Sequence, residues 1–110
     1  MTTHITTHIL DATAGAPAAH VDVSLGRYVE GVLEQLAQGT TDADGRAALG
    51  PERLEPGMYA LTFGSGAFFQ DRGQETFYPS VTVTFTVTDR PHYHVPLLLS
   101  PFGYSTYRGT

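Results

Sequence analysis

The sequence predicts a mainly β fold, a sandwich of two sheets, on three observations. Residues 80–88 (SVTVTFTVT) alternate Val81, Val83, Phe85 and Val87 with polar partners, the period-2 pattern of a half-buried strand. Glycine and proline recur between the periodic segments, at Gly15, Pro17, Gly45, Gly50, Pro51, Pro56, Pro79, Pro91 and Pro101, as turn residues do between short strands. The length, 110 residues, suits one sandwich domain over residues 1–110, large enough for a core without covalent staples.

Along the chain, residues 5–10, 21–25, 57–63 and 92–99 read as further strands. In the last of these, Pro96 requires an edge or a place where its missing N–H is not needed. Residues 42–45 (DADG) form a turn, because Gly45 tolerates positive φ and the aspartates accept backbone hydrogen bonds. Residues 28–37 (YVEGVLEQLA) break the pattern: Tyr28, Val29, Val32, Leu33 and Leu36 fall at helical spacing, with Gly31 weakening the helix. Residues 64–74 have room for a short helix. A four-residue echo, Thr2-Thr3-His4-Ile5 and then Thr6-Thr7-His8-Ile9, is too short to imply a repeat architecture.

Composition removes several kinds of chemistry. The chain has no cysteine, so it has no disulfide framework, thiol nucleophile or cysteine-ligated metal. All six basic residues are arginine, which excludes a lysine base or Schiff base. The net charge is -5 and the arginines are scattered, so no nucleic-acid partner is expected. With no signal-like opening and no apolar run of about 20 residues, no membrane association is expected, and the location expected by default is cytoplasmic.

Alternation along the first and last strands sorts their residues by face. His4, Thr6, His8 and Leu10 share one face opposite Ile5 and Ile9; His92, His94, Pro96 and Leu98 share one opposite Tyr93, Val95, Leu97 and Leu99. The aliphatic face goes to the core, so the histidines point away from it. For His92-Tyr93-His94 three readings compete: solvent-facing side chains, two ligands of a metal lacking a third, or general bases, for which imidazole's pKa near 6.5 suits neutral pH. Arg46 is either a solvated strand residue or a cation whose forked donors hold a carbonyl-rich ligand. The Asp42/Asp44/Gly45 cluster lacks the spacing of a calcium loop, and Gly64-Ser65-Gly66 is no nucleophile elbow. The apolar run from Leu97 to Tyr104 suggests a packed rather than frayed end, able to bring Tyr107 and the Thr110 carboxylate to a site.

Three blocks in order, Thr6-Thr7-His8-Ile9-Leu10-Asp11, Asp44-Gly45-Arg46 and HYHVPLLLSPFGYSTYRG, resemble the 5-hydroxyisourate hydrolases, or transthyretin-related proteins. Weaker similarity at Gly15-Ala16-Pro17-Ala18, Gly57-Met58-Tyr59 and Phe77-Tyr78-Pro79 extends the resemblance over nearly the whole chain. The resemblance implies a transthyretin-like β-sandwich of two antiparallel sheets with one short helix, and strands in place of a helix over residues 28–37. It implies a homotetramer with active sites at a dimer–dimer interface, no cofactor and no metal. The implied reaction opens the six-membered ring of 5-hydroxyisourate with water, giving 2-oxo-4-hydroxy-4-carboxy-5-ureidoimidazoline. The motif carries catalytic roles to His8, Arg46, His94 and Tyr107, and substrate contacts to His8, Arg46, Tyr107 and Thr110. Thr110 stands where the family has serine, keeping the hydroxyl and adding a methyl. A non-enzymatic carrier is the alternative, since transthyretin shares the fold; its channel has a lysine where this chain has His8.

Overall fold

The computed structural model describes residues 3–110, and the two sheets predicted are present. One sheet holds β1 (Ile5–Asp11), β2 (Ala16–Pro17), β5 (Arg46–Leu49), β8 (Tyr93–Ser100) and β9 (Gly103–Thr106). Its order is β2-β1-β8-β9, with β5 also pairing β1. The other runs β4 (Val32–Thr40), β3 (Asp22–Val29), β6 (Gly57–Phe63), β7 (Val81–Val87). Helix α1 (Ser65–Gln70) links β6 to β7, where the sequence left room for a short helix. All pairings are antiparallel except β1 with β8, which is parallel. That exception follows from connectivity, because β8 reaches β1 only after the chain has built the second sheet.

Residues 28–37 are a β-hairpin. Val29 pairs with Val32 around a two-residue turn, Glu30-Gly31, in which both residues have positive φ, the geometry that matches strand twist. The helical spacing is a coincidence of two strands read as one segment: Gly31 belongs to the turn, not to a helix interior. Val32 and Leu36 are exposed on β4.

The core lies between the sheets. Ile5 and Ile9 of β1, Val23 and Leu25 of β3, Leu61 and Phe63 of β6, and Val95, Leu97 and Leu99 of β8 are all buried in it. Full burial of such side chains contributes roughly 1.5–3 kcal/mol each. A one-residue slip of β1 would reverse its faces and forfeit that, so its register is strongly specified. Pro96 sits inside the sheet, yet its nitrogen faces the same side as its carbonyl, which accepts from Thr106 Oγ1 at 2.7 Å just past the last β8·β9 ladder pair, Leu97 with Thr106. No ladder donor is needed there.

His4 departs from the face assignment. The chain bends at His4, before β1 begins, and the alternation that places His8 outward does not extend that far. His4 is 1% exposed and packs on Tyr93, with ring centroids 5.4 Å apart. Its Nδ1 accepts the Leu54 N–H at 2.8 Å and its Nε2 donates to the Arg90 carbonyl at 2.8 Å, so the ring is neutral with its proton on Nε2. The sequence echo begins at Thr2, outside the described residues, and its two histidines have different surroundings.

The turn at residues 42–45 fixes where β5 starts. Asp42 Oδ1 accepts the N–H groups of Asp44 at 2.9 Å and Arg46 at 3.0 Å, and the Asp42 N–H reaches back to the Arg46 carbonyl at 2.9 Å. Gly45 has φ +77°, and a Cβ there would lie 2.5 Å from the Ile9 carbonyl oxygen. Gly45→Ala should therefore destabilise the fold by at least roughly 1–3 kcal/mol, the cost of a strained backbone, before the clash with β1 is added. Urea unfolding reads this directly; an unchanged midpoint would contradict the turn's role.

Candidate functional site

Three strands of one sheet bring the candidate residues to its outer face. His8 on β1 is the antiparallel partner of Arg46 on β5, and Thr6 on β1 is the parallel partner of His94 on β8. Since Ile5, Thr7 and Ile9 face inward and are buried, Thr6 and His8 must face outward. His8 and His94 are thus diagonal neighbours on adjacent strands, with Arg46 across from His8. The inward Thr7 Oγ1 donates to the Val95 carbonyl at 2.6 Å, tying β1 to β8 from below.

The His94 ring is held on two sides. Thr6 Oγ1 lies 2.9 Å from its Nδ1. On the other side the chain end returns along β8: the Gly109 N–H donates to the His94 carbonyl at 2.8 Å, and a Cβ on Gly109 would lie 2.6 Å from the ring's Cδ2. Only a residue without a side chain fits against the imidazole. The glycine of Tyr107-Arg108-Gly109 is there for close approach and ties this segment to β8, while Phe102, Tyr104 and Tyr107 are exposed rather than packed as expected.

The other two residues named from the sequence flank Gly109, which pairs with His94. Tyr107 is 61% exposed and, with Arg108, lines a groove of about 280 Å³ against Val83, Phe85, Tyr93 and Val95 at the open edge between the sheets. Thr110 is exposed beside Gly109. Thr6 and Gly109 were missed as parts of the site. Thr6 could have been found from its period-2 spacing with His8, whereas its pairing with His94 depends on a register that sequence does not show.

Beside Arg46, a shallow groove of about 310 Å³ is lined by Thr6, Asp42, Arg46 and Ala48. A larger one, about 450 Å³, lies on the other sheet among Asp22, Gln38, Thr40, Thr62 and Ser80, away from the histidine pair and Arg46. Chemistry rather than size singles out the smaller. Among the described residues no group of three or more His, Asp or Glu side chains is placed to hold a metal ion, and no helix is long and apolar enough to cross a membrane.

Arg46 is the fixed cation on this face, with the Asp42 carboxylate beside it. Half-burial pushes the His94 pKa down first, followed by the charges of Arg46, His8 and His92; a backbone contact with Thr6 works the other way. Asp42 is held below the usual carboxylate value chiefly by the Arg46 N–H, which its carboxylate accepts. The sign for His94 is clear: with its pKa lowered, the neutral ring with a free lone pair persists through neutral pH and is lost only on acidification. An NMR titration should place the His94 midpoint below 6.5, and Arg46→Gln should raise it; a wild-type midpoint at or above 6.5 contradicts this. Gly109→Ala should shift the same ring signals while leaving the melting temperature nearly unchanged, and an unperturbed His94 would contradict the packing described.

The profile of the family described as "HIUase/Transthyretin family" matches residues 5–109. The chain is 44% identical over 112 residues to 5-hydroxyisourate hydrolase of Mus musculus, covering 96% of this chain and 94% of that protein. The solved structure of Klebsiella pneumoniae 5-hydroxyisourate hydrolase superposes with a TM-score of 0.86 at 41% identity, covering 96% of this chain and 98% of that one. Sea bream transthyretin, solved in complex with thyroxine, superposes with a TM-score of 0.89 at 30% identity, covering 97% and 95% of the two chains. Fold similarity alone is as close to a thyroxine-binding protein as to a hydrolase, so the chemistry of the outer face has to separate them. With the profile spanning nearly its whole length, the chain belongs to the HIUase/transthyretin family.

Proposed function

We propose that the protein hydrolyses 5-hydroxyisourate, and that His8, Arg46 and His94 carry the reaction. The observation that supports this most is their convergence, from β1, β5 and β8, on one exposed sheet face in a chain whose His4 is buried in a purely structural role. Opening a ring amide with water needs a base, a donor for the developing oxyanion and a surface that holds a flat heterocycle.

The neutral His94 ring serves as the base. With its Nδ1 turned to Thr6, its Nε2 is the nitrogen available to take a proton from water as the oxygen attacks the ring carbonyl. Arg46, an exposed guanidinium fixed at the start of β5, supplies forked donors to the substrate's oxygens and to the tetrahedral oxyanion. His8, across from Arg46 and diagonal to His94, orients the water or the heterocycle between them. The proton captured by the base then returns to the ring nitrogen as the C–N bond breaks. None of these steps calls on a cofactor.

The groove of one chain is shallow, and a homotetramer that packs two such faces together would wall it and exclude water. That assembly would also bring Tyr107 and Thr110 within reach of substrate. The alternative, a carrier of the kind represented by the thyroxine-bound relative, is matched by fold but at lower identity, 30% against 41% for the hydrolase, and leaves the base and the arginine without a purpose.

The test is to generate 5-hydroxyisourate from urate in situ and follow its ultraviolet decay. The protein should accelerate decay well beyond the spontaneous rate. His94→Asn should keep its fold and lose on the order of 10²–10⁴ in rate, the usual contribution of a general base. Decay no faster than the spontaneous rate, or full activity in His94→Asn, would overturn the proposal.

A further inference from the structure

The hydrogen bonds around His94 extend beyond it. His92 Nδ1 lies 3.3 Å from the Thr3 carbonyl, His92 Nε2 lies 2.9 Å from Thr6 Oγ1, and the same Oγ1 lies 2.9 Å from His94 Nδ1. Thr6 thus stands between two imidazoles, and His92 is exposed.

Donor and acceptor counting gives this chain a direction. A carbonyl oxygen only accepts, so His92 Nδ1 carries a proton, and a neutral His92 has its lone pair on Nε2. Thr6 has one hydroxyl hydrogen, and it is used on that lone pair. Toward His94 the hydroxyl can then only accept, which requires the His94 proton to be on Nδ1 and leaves Nε2 bare. The hydrogen bond made by one ring nitrogen decides the state of the other.

We infer that Thr6 and His92 are positioning residues that select the His94 tautomer with a free Nε2 lone pair, and that His92 takes up the positive charge when His94 captures a proton. The inference deepens the proposal that His94 is the base of a hydrolase and rests on it for its catalytic consequence. Once Nε2 has taken a proton, the Nδ1 proton passes to Thr6 Oγ1 as the Thr6 hydroxyl proton passes to His92 Nε2. One N–H and one O–H bond break, and one of each forms. His94 becomes neutral with its proton on Nε2, Thr6 is unchanged, and the imidazolium is now His92. The hand-over runs in reverse as His94 gives its Nε2 proton to the leaving nitrogen: His92 Nε2 returns a proton to Thr6 Oγ1 as the Thr6 hydroxyl proton passes to His94 Nδ1, which restores the starting tautomers.

The groups facing His94 favour moving the charge outward. Burial disfavours a cation on His94 most, and Arg46 on β5, His8 on β1 and His92 just before β8 add to this. His92 sits at the exposed start of the strand, where water solvates its charge. It accounts for the first histidine of the His92-Tyr93-His94 motif, which shares the outer face but makes no direct claim on substrate.

The experiment is ¹⁵N NMR of the imidazole rings above pH 7.5, with turnover of 5-hydroxyisourate measured in parallel. The wild-type protein should show His94 protonated on Nδ1 and His92 on Nδ1. Thr6→Val, which keeps shape and removes the hydroxyl, should shift His94 toward the Nε2-protonated form and lower kcat by about tenfold or more with little change in KM. Thr6→Ser should restore both readings, and His92→Asn should reproduce part of the tautomer shift. A wild-type His94 protonated on Nε2 overturns the inference whether or not the protein turns over 5-hydroxyisourate. So does a Thr6→Val protein with unchanged tautomer and rate. If the tautomers behave as stated but no hydrolysis is seen, the inference about Thr6 and His92 holds and the assignment of His94 as a hydrolytic base fails.

Discussion

The arrangement of this molecule depends on the register of β1. Burial of Ile5 and Ile9 on its inner face leaves Thr6 and His8 no option but the outer one. Parallel pairing with β8 then sets Thr6 beside His94, and antiparallel pairing with β5 sets His8 beside Arg46. Four side chains from three strands far apart in sequence meet because two isoleucines are better off out of water. The site is a consequence of the core, laid out on its reverse side.

The devices that finish the site are short-range and steric. The Asp42 carboxylate gathers two N–H groups, and Gly45 passes under the Ile9 carbonyl, so that β5 starts where Arg46 can pair with His8. Gly109 closes on the His94 ring from the tail. Histidine is used in two ways by these surroundings. His4, with both nitrogens committed to backbone partners, is a bolt between the start of β1 and two loops, whereas His94 is half-buried among positive groups with one nitrogen left over.

Much of this was legible in the sequence where period-2 alternation is uninterrupted. The strand at residues 80–88 is β7 but for its end residues, residues 57–63 are β6, and the outward direction of His8 and His94 followed from counting by twos. Alternation failed at His4, because a bend just before β1 resets the faces. It failed over residues 28–37 because a two-residue turn inside the segment imitates helical spacing; the family resemblance, with longer-range information behind it, indicated strands there. Thr6 escaped notice since a threonine on a strand is ordinary until a parallel neighbour gives its hydroxyl two imidazoles. Tyr107 was grouped with the histidines on the strength of its motif alone, and it lines a groove with Val83 and Phe85.

A relative 44% identical in sequence is a 5-hydroxyisourate hydrolase, and what remains to be tested is that the outer face of the β5-β1-β8 sheet is the surface that meets the heterocycle. The most direct measurement is a crystal structure with a stable purine-like analogue such as urate. The account predicts the ring lying over that face, its carbonyl oxygens within hydrogen-bond distance of Arg46 and its reacting carbon, or a water beside it, about 3 Å from His94 Nε2. An analogue bound instead among Asp22, Thr40 and Thr62 on the opposite sheet, or at the open edge beside Tyr107 with His94 untouched, would contradict it.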